Sequence, residues 1–276
     1  MSPPSLRIAD LLQVPGLDPL SRTLLQSLVW IDVAADWNLY AVAAGTLLFL
    51  AAIWKSVGKR GGIEWYALLH AVVTGVGSVV CIYLDHSVIV NGVPQPLHAI
   101  RCGPPLTALH RMLPSITMGY SFLDLLQGVN INLAFALHGL ATLLVMGAFL
   151  GHPQIITPML VMEVSTIFLS LTDGTFWSPV QTVGVLVTFA VSFFLCRIVA
   201  APYVWWELVR TMYHEKKGSS CLAPHIFPTT VVFGVFFHSL NVYWMYKIVR
   251  KARRKMKGLE GVQANNDIHE SEKKKS

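Results

Sequence analysis

Charge is what this chain has least of. Only 13% of its 276 residues are Asp, Glu, Lys or Arg, against roughly 25% in an ordinary globular domain, which excludes a soluble domain with a fully solvated surface. With 54% hydrophobic residues and a mean hydropathy of +0.54, the chain reads as a polytopic membrane protein. Cysteine is also scarce. Cys81 and Cys196 sit inside apolar runs and Cys102 and Cys221 between them, with no Cys-x-x-Cys or Cys/His zinc spacing, so no thiolate metal site is expected. Residues 1–36 lack a continuous apolar core and carry Pro3, Pro4, Pro15 and Pro19. A cleavable signal peptide is therefore not expected, and the first span must target the protein.

The charge that is present is concentrated. Lys247, Arg250, Lys251, Arg253, Arg254, Lys255 and Lys257 crowd the end of the last apolar run. Beside a membrane such a cluster is an anchor for an anionic lipid surface, at about 1 kcal/mol per basic residue, and no nucleic-acid partner is expected. Apolar runs and their interruptions predict an all-α bundle of about seven transmembrane helices, at 37–54, 65–84, 113–127, 131–150, 155–171, 180–200 and 227–249. The third is short for a bilayer that needs roughly 20 apolar residues. The implied organisation is a lumenal lead-in at 1–36, helical around 21–30, an extra first span at 37–55, a main domain at 65–250 and a disordered cytoplasmic tail at 256–276.

Lys55, Lys59 and Arg60 after the first span place that loop in the cytosol by the positive-inside bias. With seven spans the C-terminus is then cytosolic, and the 85–112 and 201–226 loops are lumenal. Tyr203, Trp205 and Trp206 read as an interfacial aromatic belt. Cys102 and Cys221 fall on the lumenal side, where a disulfide is permitted; two free thiols are the alternative.

An ionisable side chain inside a span is tolerated mainly when it faces a bundle interior, a partner or water, so each is a functional candidate. Gly119-Tyr120-x-x-x-Asp124, His138 and Glu163-x-Ser165-Thr166 place three such groups on successive spans. Tyr120 and Asp124, four apart, share a helix face. That face is expected to point at His138, with Glu163 on the far wall, Arg197 near at least one acid, and Phe193 and Phe194 facing outward. Arg197 close to a span end can equally snorkel to the headgroups. His138 with Asp124 supplies the residue types for a general base oriented by a carboxylate; an interhelical pair that only fixes packing is the alternative. Tyr120, Glu163, Ser165, Thr166, Arg197, His238 and Asn241 are candidate lipid contacts, and His70 is a packing residue.

The series Gly119-Tyr120-x-x-x-Asp124, His138-x-x-x-Thr142, Glu163-x-Ser165-Thr166-x-Phe168-Leu169, Arg197, and Asn241-x-x-Trp244 before a basic tail resembles the TLC domain. That domain is shared by the translocating-chain-associated membrane protein, the longevity-assurance ceramide synthases and the ceroid-lipofuscinosis protein. The resemblance implies a barrel of six helices around a lipid-accessible cavity, here preceded by one extra span. In the ceramide synthases adjacent histidines and paired acids transfer an acyl group from coenzyme A to a sphingoid amine. Here Gly139 follows His138, so the chain is more similar to the small TLC-domain-containing proteins implicated in lipid homeostasis.

The function so implied is lipid homeostasis in an endomembrane, by binding or partitioning a membrane lipid in the helical cavity, with no cofactor and no enzymatic step required. The alternatives are an acyl-coenzyme-A-dependent N-acyltransferase using His138 and Asp124, and a cargo or translocon-associated receptor. The terminal Lys273-Lys274-Lys275-Ser276 resembles a dilysine retrieval signal, which implies a retrieval-coat partner and residence in the endoplasmic reticulum or a linked membrane.

Overall fold

A chain crossing hydrocarbon must satisfy its backbone polar groups internally, and helices do so segment by segment. The computed structural model describes residues 12–13, 18–28, 38–87, 89–90, 93–94, 107–131, 133–149, 153–215 and 225–273. Among these the chain is an all-α membrane bundle whose only strands are two-residue hairpin arms. The helices are α1 (Pro19–Leu28), α2 (Leu39–Ser56), α3 (Trp65–Ser87), α4 (Ala108–Ile131), α5 (Leu133–Ala148), α6 (Pro153–Ile156), α7 (Glu163–Leu171), α8 (Pro179–Phe193), α9 (Ala201–Glu215) and α10 (Ile226–Lys273). Four stretches among the described residues are long and apolar enough to cross a membrane, namely Leu39–Ser56, Trp65–Leu84, Pro179–His214 and Ile226–Arg253. Leu133–Ala148 and Thr157–Leu171 are shorter apolar helices.

Four elements differ from expectation. The third helix is longer than its apolar run, since α4 has 24 residues and contains Pro114, and it is not among the four long apolar stretches. A proline there leaves the His110 carbonyl without its helical donor. Thr157 supplies the replacement, its Oγ1 donating to His110 O at 2.7 Å, so the helix extends back through residues read as loop. The fifth span is not one helix. A 3-10 segment, Thr157–Met162, separates α6 from α7, and Ser78 Oγ donates to the Thr157 carbonyl at 2.7 Å.

The sixth span does not stop before Pro202. It passes through a π-helical turn, Phe194–Ala200, and re-enters α-helix with Pro202 in the first turn of α9, where a missing N–H is tolerated. The 201–226 segment is accordingly helical as far as Glu215. Trp205 is no belt residue. Its indole N–H donates to Thr230 O at 3.0 Å, whereas Tyr203 and Trp206 are exposed. The last helix continues to Lys273, across most of the tail read as disordered. That stretch contains no proline and extends a helix already anchored in the bundle, so propagation needs no new nucleus. The Cys102–Cys221 pairing and residues 274–276 lie outside the described residues.

The bundle has two unlike ends. At one, Leu113, Val145, Phe149, Ile155, Leu208 and Met212 form a closed apolar core, and Tyr83 OH donates to Asp18 Oδ1 at 3.0 Å, tying α1 to α3. At the other, β1 (Lys59–Arg60) pairs with β2 (Ile63–Glu64) around Gly61 and Gly62, whose φ angles of 62° and 81° suit glycine. Thr175 N donates to Gly61 O at 2.9 Å, and Lys59 lies 3.6 Å from Asp173. The α2–α3 and α7–α8 connections thus share one face, as the seven-span arrangement requires.

Candidate functional site

The π turn shapes the site. One extra residue per turn re-aims side chains, and such turns occur often at functional positions. Here Phe193 and Arg197, four apart, both face the interior, at 3% and 6% exposure. Arg197 does not snorkel. Its Nε donates to Ser165 Oγ at 2.9 Å, Nη2 to Thr166 Oγ1 at 2.8 Å and Nη1 to Asn241 Oδ1 at 3.5 Å. Glu163 Oε1 lies 3.6 Å from Nη2. The guanidinium also stands over Phe193, 5.4 Å from the ring centre, and 6.0 Å from that of Trp244. A buried cation needs both a counter-charge and filled donors, and α7 and α10 provide them. Phe193 therefore departs from the expected outward orientation, while Phe194 is exposed as expected.

Glu163 reaches this position because α7 begins at it, straight after the 3-10 segment, and because α3 approaches closely at Gly75. A Cβ there would stand 2.7 Å from Val164 N. Small residues permit such backbone contact between membrane helices. Gly139 does the same for α4 and α5, a Cβ there lying 2.9 Å from Leu125 N. It fixes the registration of Asp124 against His138.

On α4, Tyr120 OH donates to Asp124 Oδ1 at 3.4 Å, and the Tyr120 ring stacks on His70 with centroids 3.9 Å apart. The Thr117 hydroxyl donates to Leu113 O at 3.0 Å, so at 3.3 Å from His70 Nε2 it acts as acceptor. This assigns the Nε2–H tautomer and leaves buried Nδ1 without a partner. His138 on α5 meets Trp244 edge-on at 5.1 Å and Phe237 at 5.7 Å. Its Nδ1 is buried without a partner, and no hydrogen bond joins it to Asp124 among the described residues.

One cavity of about 720 Å³ brings together Tyr120, Asp124, His138, Glu163, Ser165, Thr166 and Arg197, with His70, Phe193 and Trp244 also on its wall. At the β1–β2 end its lining takes in the exposed Lys247 and Lys251. At the opposite end Thr117, His138, Thr142 and Glu163 also border an apolar annex of about 80 Å³ that continues to Phe149 and Leu208. Asn241 is buried behind Arg197, where it holds the guanidinium. His238 is not brought to the cavity. It packs on Trp205 at 5.1 Å, because residues three apart on a helix diverge in direction once the neighbouring elements differ.

The sequence pattern missed His70, Thr117 and Phe193 on the cavity wall, and Lys247 and Lys251 in its lining. The lysines were readable, since they follow Trp244 by three and seven residues and so share its face.

A cavity with a polar midsection inside an apolar helical bundle agrees with what a family comparison shows. The model for the TLC domain matches residues 32–250. The chain belongs to the TLC domain family. The match starts ahead of α2, so the TLC domain as matched takes in the helix that was expected to precede it. No match was found among curated proteins or solved structures. The chain is a membrane TLC protein, and the family supports a lipid-related role in general terms.

Proposed function

We propose that this TLC protein binds a membrane lipid in its central cavity, the lipid's polar part beside Arg197, Glu163 and Asp124 and its hydrocarbon toward the annex at Met146 and Phe149. The carrying observation is the cavity itself, whose polar groups form a band between apolar walls. Along α10 the two cavities run from Thr230 to Lys251, about 31 Å of helix, comparable to the roughly 30 Å hydrocarbon core. The protein then acts in lipid homeostasis in the endoplasmic reticulum or a linked membrane, with its basic C-terminal end in the cytosol.

The test is photo-crosslinking with a phospholipid carrying a diazirine on one acyl chain, followed by peptide mapping. Labels on Thr142, Met146 and Phe237 are expected, and Thr142→Trp should abolish them by filling the cavity. Labelling confined to outward residues such as Val180 and Leu144 would sink the proposal. Accessibility of a tag at residue 58 and of one at the C-terminus in selectively permeabilised cells checks the orientation, and a lumenal C-terminus refutes it.

A second reading, acyl-coenzyme-A-dependent N-acyl transfer, is favoured by a separate observation. The cavity holding His138 and Asp124 is also lined by the exposed Lys247 and Lys251, two cations suited to a phosphate-bearing acyl carrier. Catalytic hydrogen bonds often tighten only with substrate present. Incubation with long-chain acyl-coenzyme A and a lipid amine should then give an N-acyl product that is lost in His138→Ala, while lipid labelling persists. No product from the wild-type protein leaves the binding role alone.

A further inference from the structure

The π turn that sends Arg197 inward sends Phe194 outward and leaves Ile198 half-buried beside it. Together with Val242, Met245 and Val249 of α10 they wall a groove of about 670 Å³ on the outside of the bundle, ending at Arg250 and Arg253. This groove is separate from the central cavity and shares none of its polar cluster. Helical periodicity divides the basic end of α10 between the two: Lys247 and Lys251, four apart, border the cavity, while Arg250 and Arg253, three apart, border the groove. Phe194 and Val242 are 45% and 61% exposed, and both lie on helices long and apolar enough to span a membrane. The surface they form is therefore in hydrocarbon.

Length and charge identify what fits. The apolar walls follow about 10 Å of helix from Val242 to Val249, and the arginines extend the groove to about 16 Å at Arg253. The apolar part lies within the roughly 15 Å of one leaflet and takes the headgroup end of an acyl chain. Its apolar walls thus end, and its arginines begin, where an acyl chain gives way to a headgroup. The lining has two guanidinium groups and no acid. Each guanidinium can bind a phosphate through two parallel N–H donors. A zwitterionic headgroup would bring its own cation against this pair, whereas an anionic one would not.

We propose that the groove is a binding site for one anionic phospholipid, an acyl chain along Phe194, Ile198 and Met245 and the headgroup on Arg250 and Arg253. The site lies outside the central cavity and goes beyond the lipid-binding role assigned there. It differs from diffuse attraction of the basic run to a membrane in being a defined stoichiometric position.

Native mass spectrometry of the full chain in micelles with equal phosphatidylglycerol and phosphatidylcholine of identical acyl chains tests this. One phosphatidylglycerol per chain should be retained with roughly 25-fold preference, about fivefold for each arginine. Arg250→Gln with Arg253→Gln should remove the preference. Met245→Trp, which fills the groove without touching charge, should also reduce retention. A loss with Lys247→Gln and Lys251→Gln but not with the arginine pair places the lipid in the central cavity and overturns the site. Equal losses for the two pairs reduce it to diffuse attraction, and Met245→Trp retaining the full preference does the same. Lipid-free dimers that dissociate in Met245→Trp would make the groove an interface between copies, which also overturns it.

Discussion

Removing Arg197 should destabilise this protein far more than removing any other paired arginine in the described structure. Arg197 is 6% exposed and bridges α7, the π turn and α10 through Ser165, Thr166 and Asn241. Its ion-pair partner Glu163 has a side chain only 14% exposed. Arg197→Ala leaves that carboxylate buried without a cation, a change that costs about 3–5 kcal/mol. At roughly 2–4 °C per kcal/mol for a chain of this size, the unfolding temperature should fall by about 6–20 °C. The internal control is Arg210, whose 2.8 Å pair with Glu207 has its guanidinium 57% exposed; such surface pairs contribute about 0–1 kcal/mol. Arg197→Met combined with Glu163→Leu removes both charges and should be less damaging than Arg197→Ala alone, because no unpaired charge remains. Intrinsic-fluorescence melts in one detergent order the variants. The reasoning fails if Arg197→Ala melts with Arg210→Ala, or if the double variant is the least stable of all.

Three further outcomes follow from the geometry. Thr157→Val should cost about 1–3 kcal/mol by removing the buried hydroxyl that bonds the His110 carbonyl, and Pro114→Ala in the same chain should restore stability by returning the helical donor; a double variant no more stable than Thr157→Val would falsify the pairing. Gly139→Val should lower the melting temperature by about 1–3 kcal/mol equivalent or more, since its Cβ would meet Leu125 N at 2.9 Å. Gly147→Val, where a Cβ meets nothing within 4 Å, should be close to neutral, and equal effects would exclude a tight α4–α5 contact. Asp124→Asn should raise the melting temperature while reducing lipid labelling: among the described residues Asp124 has no ion-pair partner, and an acid so placed costs about 2.5–3.5 kcal/mol at bilayer centre. A lowered melting temperature would show instead that Asp124 is a packing element.

What could be read from the sequence was what helical periodicity carries alone. Tyr120 and Asp124 share a face because they are four apart, and the order of motifs along apolar runs was enough to find the TLC domain and to group Asp124, His138 and Glu163, which line one cavity. Two of the errors arose where a partner distant in sequence reversed a local rule, and a third where an irregular turn did. Residues up to 112 read as loop, yet α4 starts at Ala108 and the distant Thr157 hydroxyl bonds His110 O at 2.7 Å. Trp205 reads as an interfacial anchor, yet Thr230 O accepts its N–H. Pro202 reads as a stop, and the π turn before it, which no periodicity announces, carries the helix through.

That turn explains most of the remainder. With ordinary α-helical continuation from α8, a residue near the span end has the surface within reach, and snorkelling is the cheaper fate for an arginine. The π turn changes the direction of every side chain after Phe193 and commits Arg197 to the interior, where Glu163 neutralises it. A cation held that deep fixes α7 against α10 and keeps the cavity wall polar at its middle. The same rotation leaves Phe194 exposed, in one groove with half-buried Ile198 and with Arg250 and Arg253. One irregular turn thus sets both the polar band of the central cavity and the lipid-facing groove, so a substitution that restores plain α-helix across 194–200 should disturb the two sites together.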